Sequence, residues 1–98
     1  MKNLRVLLPS ILFLSISFAS CQKAAEANFS YSQNGLGTVN FTNTSSHASS
    51  YNWNFGDGSS STETSPTHTY SSLGVYTITL TADGSGGNGT STQNINVQ

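Results

Sequence analysis

Strict alternation of apolar and polar residues is the feature that most constrains this chain. Over Tyr76-Thr77-Ile78-Thr79-Leu80-Thr81, β-branched threonines take every second position and apolar groups the positions between. Side chains leave a strand on opposite faces with a period of two, so this run is a strand with one buried and one wet face. The same period recurs at Phe29/Tyr31, Val39/Phe41, Tyr51/Trp53/Phe55 and Ile95/Val97. No segment from Asn28 onward carries the 3.6-residue spacing of an amphipathic helix. Between the runs lie Asn34-Gly35 with Gly37, Gly56-Asp57-Gly58, Ser65-Pro66, Leu73-Gly74 and Asp83-Gly84, residues suited to chain reversals. Asp83-Gly84 opens a stretch through Gly89 that is expected to be a flexible hairpin connection between the last two strands. Short antiparallel strands, each wet on one side, predict an all-β chain: an Ig-like β-sandwich of about seven antiparallel strands.

The beginning of the chain follows different rules. Lys2 and Arg5 precede Val6 to Phe18, which is apolar apart from Ser10, Ser15 and Ser17, and Ala19-Ser20-Cys21 comes next. That order is the one found in an export signal, and the run is shorter than the roughly 20 apolar residues a membrane-spanning helix needs. Phe18-Ala19-Ser20-Cys21 resembles the bacterial lipobox, in which a cysteine after small residues is lipidated and becomes the new N-terminus. Phe18 departs from that pattern, which usually has an aliphatic residue there. The other reading is ordinary cleavage after Ala19, leaving Cys21, the only cysteine of the 98-residue chain, as a free thiol. The lipobox reading implies a protein anchored to the bacterial outer membrane or cell surface, with Gln22 lacking the Asp that often retains enterobacterial lipoproteins at the inner membrane. The expected divisions are residues 1–20 as a cleaved signal, residues 21–27 as lipidated Cys21 and a tether, and residues 28–98 as the sandwich.

Charge narrows the set of partners. Charged residues make up 7% of the chain, and beyond Ser20 Lys23 stands alone against Glu26, Asp57, Glu63 and Asp83, a net of −3. Nucleic-acid binding rests on Lys and Arg neutralising phosphates, so it is set aside.

Tyr51-Asn52-Trp53-Asn54-Phe55-Gly56-Asp57-Gly58, then Pro66, His68 and Tyr70, then Gly74, Tyr76, Ile78 and Leu80, resemble the motifs of the polycystic-kidney-disease (PKD) domain. That family's pattern is Trp-x-Phe-Gly-Asp-Gly, Pro-x-His-x-Tyr and Gly-x-Tyr-x-Val-x-Leu, and the resemblance covers about Asn28 to Val97. Asn54 and Ile78 are the departures, where the family often has an acid and Val. The residues carry their own physical sense. Trp53 is a mid-strand residue expected inside, Tyr76 is placed for a tyrosine corner, and Asp57 between two glycines is expected to accept backbone N–H bonds in a tight turn. His68 is expected to hydrogen-bond within the sandwich.

Reactive constellations are sparse. His47 and His68 are the only histidines, too few for a zinc site of three or four protein ligands, and Asp57 has only Glu63 and hydroxyls nearby for a hard cation. There is no Gly-x-Ser-x-Gly elbow, and Gly84 to Gly89 lacks the Lys of a phosphate-binding loop. The sequence therefore predicts no enzyme, no cofactor, no metal and no small-molecule substrate. The resemblance implies a binding or interaction module for an extracellular glycan or protein; the alternative is a structural or spacer role through a separate partner. Tyr31, Tyr51 and Tyr70 are candidate ligand contacts, each equally compatible with the core.

Overall fold

The computed structural model describes residues 22–98, so the expected signal at 1–20 and lipidated Cys21 lie outside the described residues. Seven strands form: β1 (Phe29–Gln33), β2 (Thr38–Asn43), β3 (Ser50–Asn54), β4 (Ser60–Ser61), β5 (Thr67–Thr69), β6 (Gly74–Gly84) and β7 (Gly87–Val97). They make two antiparallel sheets, β1-β2-β5 and β4-β3-β6-β7, and no described residue is helical. The sheets close face to face as the Ig-like sandwich expected from the alternation.

Register decides what faces inward. Trp53 lies opposite Leu80, Tyr76 opposite Ile95, Tyr31 opposite Phe41 and Val39 opposite His68, which aligns the inward positions of both sheets. The core is Phe29, Val39, Phe41, Trp53, Phe55, Tyr70, Ile78, Leu80, Ile95 and Val97, all buried. Trp53 packs edge-on to Phe29 at 5.1 Å between ring centroids and against Phe41 at 5.3 Å. Its indole N–H, which would otherwise be unpaired in the core, donates to the Glu63 carbonyl at 2.9 Å. β4 and β5 carry too few apolar residues to show in the periodicity. β5 is nonetheless fixed by Pro66, whose carbonyl accepts from Phe41 N–H at 2.9 Å at a strand start where a missing N–H costs nothing.

Toward the β6–β7 connection the inward side chains shrink. Along β6 they run Ile78, Leu80, Ala82, Gly84, and opposite them on β7 Gln93, Ser91, Gly89, Gly87. The two sheets would leave a wedge of empty space at this end, and residues 22–27 fill it. Ala25 is buried and its N–H donates to the Gly87 carbonyl at 3.0 Å, while Glu26 and Ser46 exchange backbone bonds at 2.9 and 3.0 Å. Ala27 packs against the core. A Cβ on Gly89 would collide with the Ala25 carbonyl, so the close approach requires glycine there.

Two expectations are corrected by this arrangement. Residues 22–27 are not a free tether but a docked segment of the sandwich, because small alanines over glycines let backbone meet backbone. The Ser85-to-Gly89 stretch is not a flexible connection: only Ser85 and Gly86 lie outside strands, and Gly87 to Gly89 are paired with Gly84 to Ala82. Glycine here serves close packing, not mobility.

Candidate functional site

The Phe55-Gly56-Asp57-Gly58 motif leaves β3 through a turn that brings Asp57 back over β5. Gly56 makes this possible: its φ is 83°, and a Cβ would stand 2.5 Å from the Thr77 carbonyl oxygen. Asn54 Oδ1 accepts from Gly56 N–H at 3.0 Å, and Phe55 N–H donates to the Ser59 carbonyl at 3.1 Å, closing the turn. Gly58, at φ 94°, completes it. Asp57 Oδ1 accepts from the Ser59 N–H at 3.1 Å and from the Ser59 hydroxyl at 2.5 Å. Asp57 Oδ2 lies 2.8 Å from His68 Nε2, which is also 3.2 Å from Ser59 Oγ.

Aspartate, histidine and serine thus meet, but their wiring is not that of a nucleophile. An activated serine needs a histidine that uses one ring nitrogen toward the acid and the other toward the hydroxyl. Here both contacts fall on Nε2. With Asp57 ionised and acceptor-only, the network assigns the proton to Nε2, leaving no lone pair there to draw the Ser59 proton. That hydroxyl is already committed to Asp57. The cluster fixes a turn, and its electrostatics agree. Partial burial opposes ionisation of Asp57, but the Ser59 hydroxyl, His68, the Ser59 backbone N–H and the attraction of a charged His68 outweigh it and hold the carboxyl near pKa 2.

The His68 ring carries the motif into the core. It stacks on Phe55 at 4.2 Å with planes 6° apart and meets Tyr70 edge-on at 4.6 Å, and Tyr70 stacks on Tyr76 at 4.2 Å. The Tyr70 hydroxyl donates to the Phe55 carbonyl at 2.8 Å, so the motif's second block clamps its first. Burial, with Asp57 and Tyr76 adding, pushes the Tyr70 phenol well above its usual range. The Tyr76 hydroxyl donates to the Ser72 carbonyl at 2.7 Å, four residues upstream, and Ile78 two residues on is buried: a tyrosine corner. Gly74 opens β6 opposite Val97.

The three tyrosines offered as ligand contacts do not form one platform. Tyr70 is core, which removes it as a contact. Tyr51 is half-buried against the core beside Ala82, at the tapered end. Tyr31, 38% exposed, lies on the edge strand β1, whose seam with β7 is bridged by Gln33 Nε2 donating to the Asn96 carbonyl at 2.7 Å and by Gln93 Nε2 donating to the Phe29 carbonyl at 2.8 Å. All three sit at inward register positions, the reason sequence periodicity could not assign them to the surface. Ser59 is the residue the sequence reading missed; its place two residues after an Asx-turn aspartate is the signal that identifies it. Among the described residues no group of three or more His, Cys, Asp or Glu converges on a point that could hold a metal. An open cleft of about 440 Å³ at the tapered end is lined by Lys23, His47, Ala48, Ser49, Gly84 and Ser85.

Residues 21–98 match the family model described as PKD domain. The chain belongs to the PKD domain family. Among solved structures it is similar to the PKD1 domain of Vibrio anguillarum Epp, at 35% identity with a TM-score of 0.71, covering 79% of this chain and 96% of that one. It is also similar to the PKD1 domain of the Vibrio cholerae metalloprotease PrtV, at 41% identity with a TM-score of 0.69, covering 78% and 99%. A third similar structure is described as a study of promiscuous carbohydrate-binding modules of the β-sandwich superfamily, at 27% identity with a TM-score of 0.68. That match covers 79% of this chain and 35% of the other. Comparison with curated protein sequences found no match. PKD domains are typically extracellular and generally serve as non-catalytic modules. Among the described residues no helix is long and apolar enough to cross a membrane.

Proposed function

We propose that this protein is an exported, lipid-anchored PKD module that binds an extracellular glycan or protein at the bacterial surface. The observation that carries the reading is the engagement of the reactive side chains: Asp57, Ser59, His68, Tyr70 and Tyr76 bond to one another or to backbone of the same sandwich. Most of what faces solvent is neutral hydroxyl and amide, suited to recognition by hydrogen bonding. The likeness to a carbohydrate-binding β-sandwich supports the glycan side of this reading. Lys2, Arg5, the apolar run to Phe18 and Cys21 support export and anchoring, through acyl chains whose buried methylenes contribute about 0.8 kcal/mol each. Two experiments test it. Metabolic palmitate labelling should mark the wild type and not Cys21→Ser, and labelling of neither removes the anchor. A pull-down of residues 22–98 on insoluble polysaccharides and on collagen-like protein should retain the module on at least one, and retention on none removes the binding role.

A spacer role is the second reading, favoured by the placement of the two ends of the described chain. Lys23 lies against Gly86 at the hairpin tip, whereas the Gln98 carbonyl accepts from Gly37 N–H at the opposite pole. The 11-residue strands between these poles span about 30–35 Å. Cross-linking in intact cells separates the readings: one dominant protein adduct favours the spacer, and glycan adducts favour binding.

A further inference from the structure

The outer face of the β4-β3-β6-β7 sheet is more regular than its solvation requires. Ser60, Asn54, Thr79 and Thr92 stand side by side across all four strands, and Asn52, Thr81 and Thr90 form the adjacent row across three. A further row pairs Thr77 with Asn94, whose side chains bond at 2.7 Å, and Thr79 and Thr92 hydroxyls lie 3.4 Å apart. Rows repeat about every 6.6–6.8 Å along the strands, and neighbours within a row are about 4.8 Å apart. The side chains are short and of nearly equal reach, so no residue overhangs the others. Thr–Thr and Thr–Asn contacts hold rotamers before any ligand arrives, which lowers the ordering cost of binding.

We infer that this Thr/Asn face is where a neutral glycan chain lies, an inference that rests on the glycan side of the function proposed above. The choice of occupant follows from what the face lacks. Its only charge is Asp83, at the end toward the hairpin, so neither a polycation nor a polyanion finds a complementary field. Nucleic acid would need Lys and Arg, and none lies in these rows. Protein interfaces are anchored by buried aromatic or Arg side chains, with Ser and Thr under-represented among the residues that carry the affinity. The one large apolar group here is Val75, at the opposite end. A neutral polyhydroxyl chain, by contrast, offers both donors and acceptors at each residue, as threonine hydroxyls and asparagine amides do. Because β-sheets twist, a single flexible chain follows this surface better than the flat face of a crystal.

Residues 22–98, which carry both sheets and the core between them, are incubated with colloidal chitin, amorphous cellulose, alginate beads and gelatin beads, and the bound fraction is measured. The wild type should be retained on at least one of the two neutral polysaccharides and on neither alginate nor gelatin. Thr81→Val with Thr90→Val keeps the β-branched shape while removing two hydroxyls, and should weaken that retention about tenfold. Thr92→Glu, a charge on the edge strand, should weaken it as well and guards against a fold defect in the double variant. Leu36→Ser with Leu73→Ser, at the far pole, should leave it unchanged. Wild-type retention on a neutral polysaccharide that both Thr variants share undiminished overturns this face as the site and leaves the glycan reading standing. No wild-type retention on chitin or cellulose overturns the glycan reading and this inference together, and retention on gelatin alone redirects the function to a protein partner. Equal retention on alginate overturns the selectivity for a neutral chain.

Discussion

The two ends of the sandwich are closed by opposite means. At the motif end, large rings fill the space between sheets: Phe55, His68, Tyr70 and Tyr76 touch in series, stacked at both ends and edge-on in the middle, and their polar atoms are tied to Asp57, Ser59, Ser72 and the Phe55 carbonyl. At the hairpin end the inward residues dwindle to Ala82, Gly84, Gly87 and Gly89, and a strand-like segment carrying Ala25 lies directly on that backbone. One end depends on side chains being present, the other on their absence. Either way the sheets are brought into close contact, the condition a small sandwich must meet. The difference predicts that the ends fail differently when altered.

The largest effect belongs to the shared middle. Trp53→Ala should cost about 3–5 kcal/mol, and for a domain of this size the expected outcome in thermal melts is loss of the cooperative transition. An unchanged melting temperature would mean that neither end relies on the indole. Next, Gly89→Val should cost about 1–3 kcal/mol by overpacking and should act locally, expelling residues 22–27. Limited proteolysis would then cut after Lys23 in the variant and not in the wild type, while near-ultraviolet signals of the aromatic end persist. If both ends melt together in that variant, the contrast drawn here is wrong.

Acid should strike the motif end through Asp57. The Asp57 carboxyl titrates near pH 2 in the folded protein against 3.8 ordinarily, so between those values the unfolded chain binds more protons and stability falls as pH falls. The loss, largely complete by about pH 2, is about 1 kcal/mol once solvent screening of this exposed turn is allowed for. Denaturant titrations at stepped pH should show it in the wild type and a flatter profile in Asp57→Asn. The smallest effect is that of Tyr70→Phe, which strips the Phe55 carbonyl of its buried donor and should cost about 1 kcal/mol. A melting temperature equal to the wild type's would show that stacking alone holds the second motif block to the first.

Legibility in the sequence follows the same divide. The motif end announces itself through large residues at period two, and the roles expected for Trp53, Asp57, His68 and Tyr76 match the contacts the fold makes. Tyr70 could not be assigned from alternation, because a tyrosine at an inward register position is core or seam depending on what the other sheet places over it. Ser59 was hidden among many serines. The docking of residues 22–27 was missed because hydrophobic patterning registers what side chains add, and here the contact rests on glycines.

By itself the sequence determined five of the seven strands with their inward faces, the tight turn at Gly56-Asp57-Gly58 and the near-absence of charge, since each of these is set by local sterics and by the identity of a few neighbouring residues. Only the tertiary structure decided that Ala25 is buried, that both Ser59 and His68 meet Asp57, and that threonines and asparagines from separate strands align as one face. Those outcomes depend on register between segments far apart in the chain, and register is fixed by the packing of the whole sandwich.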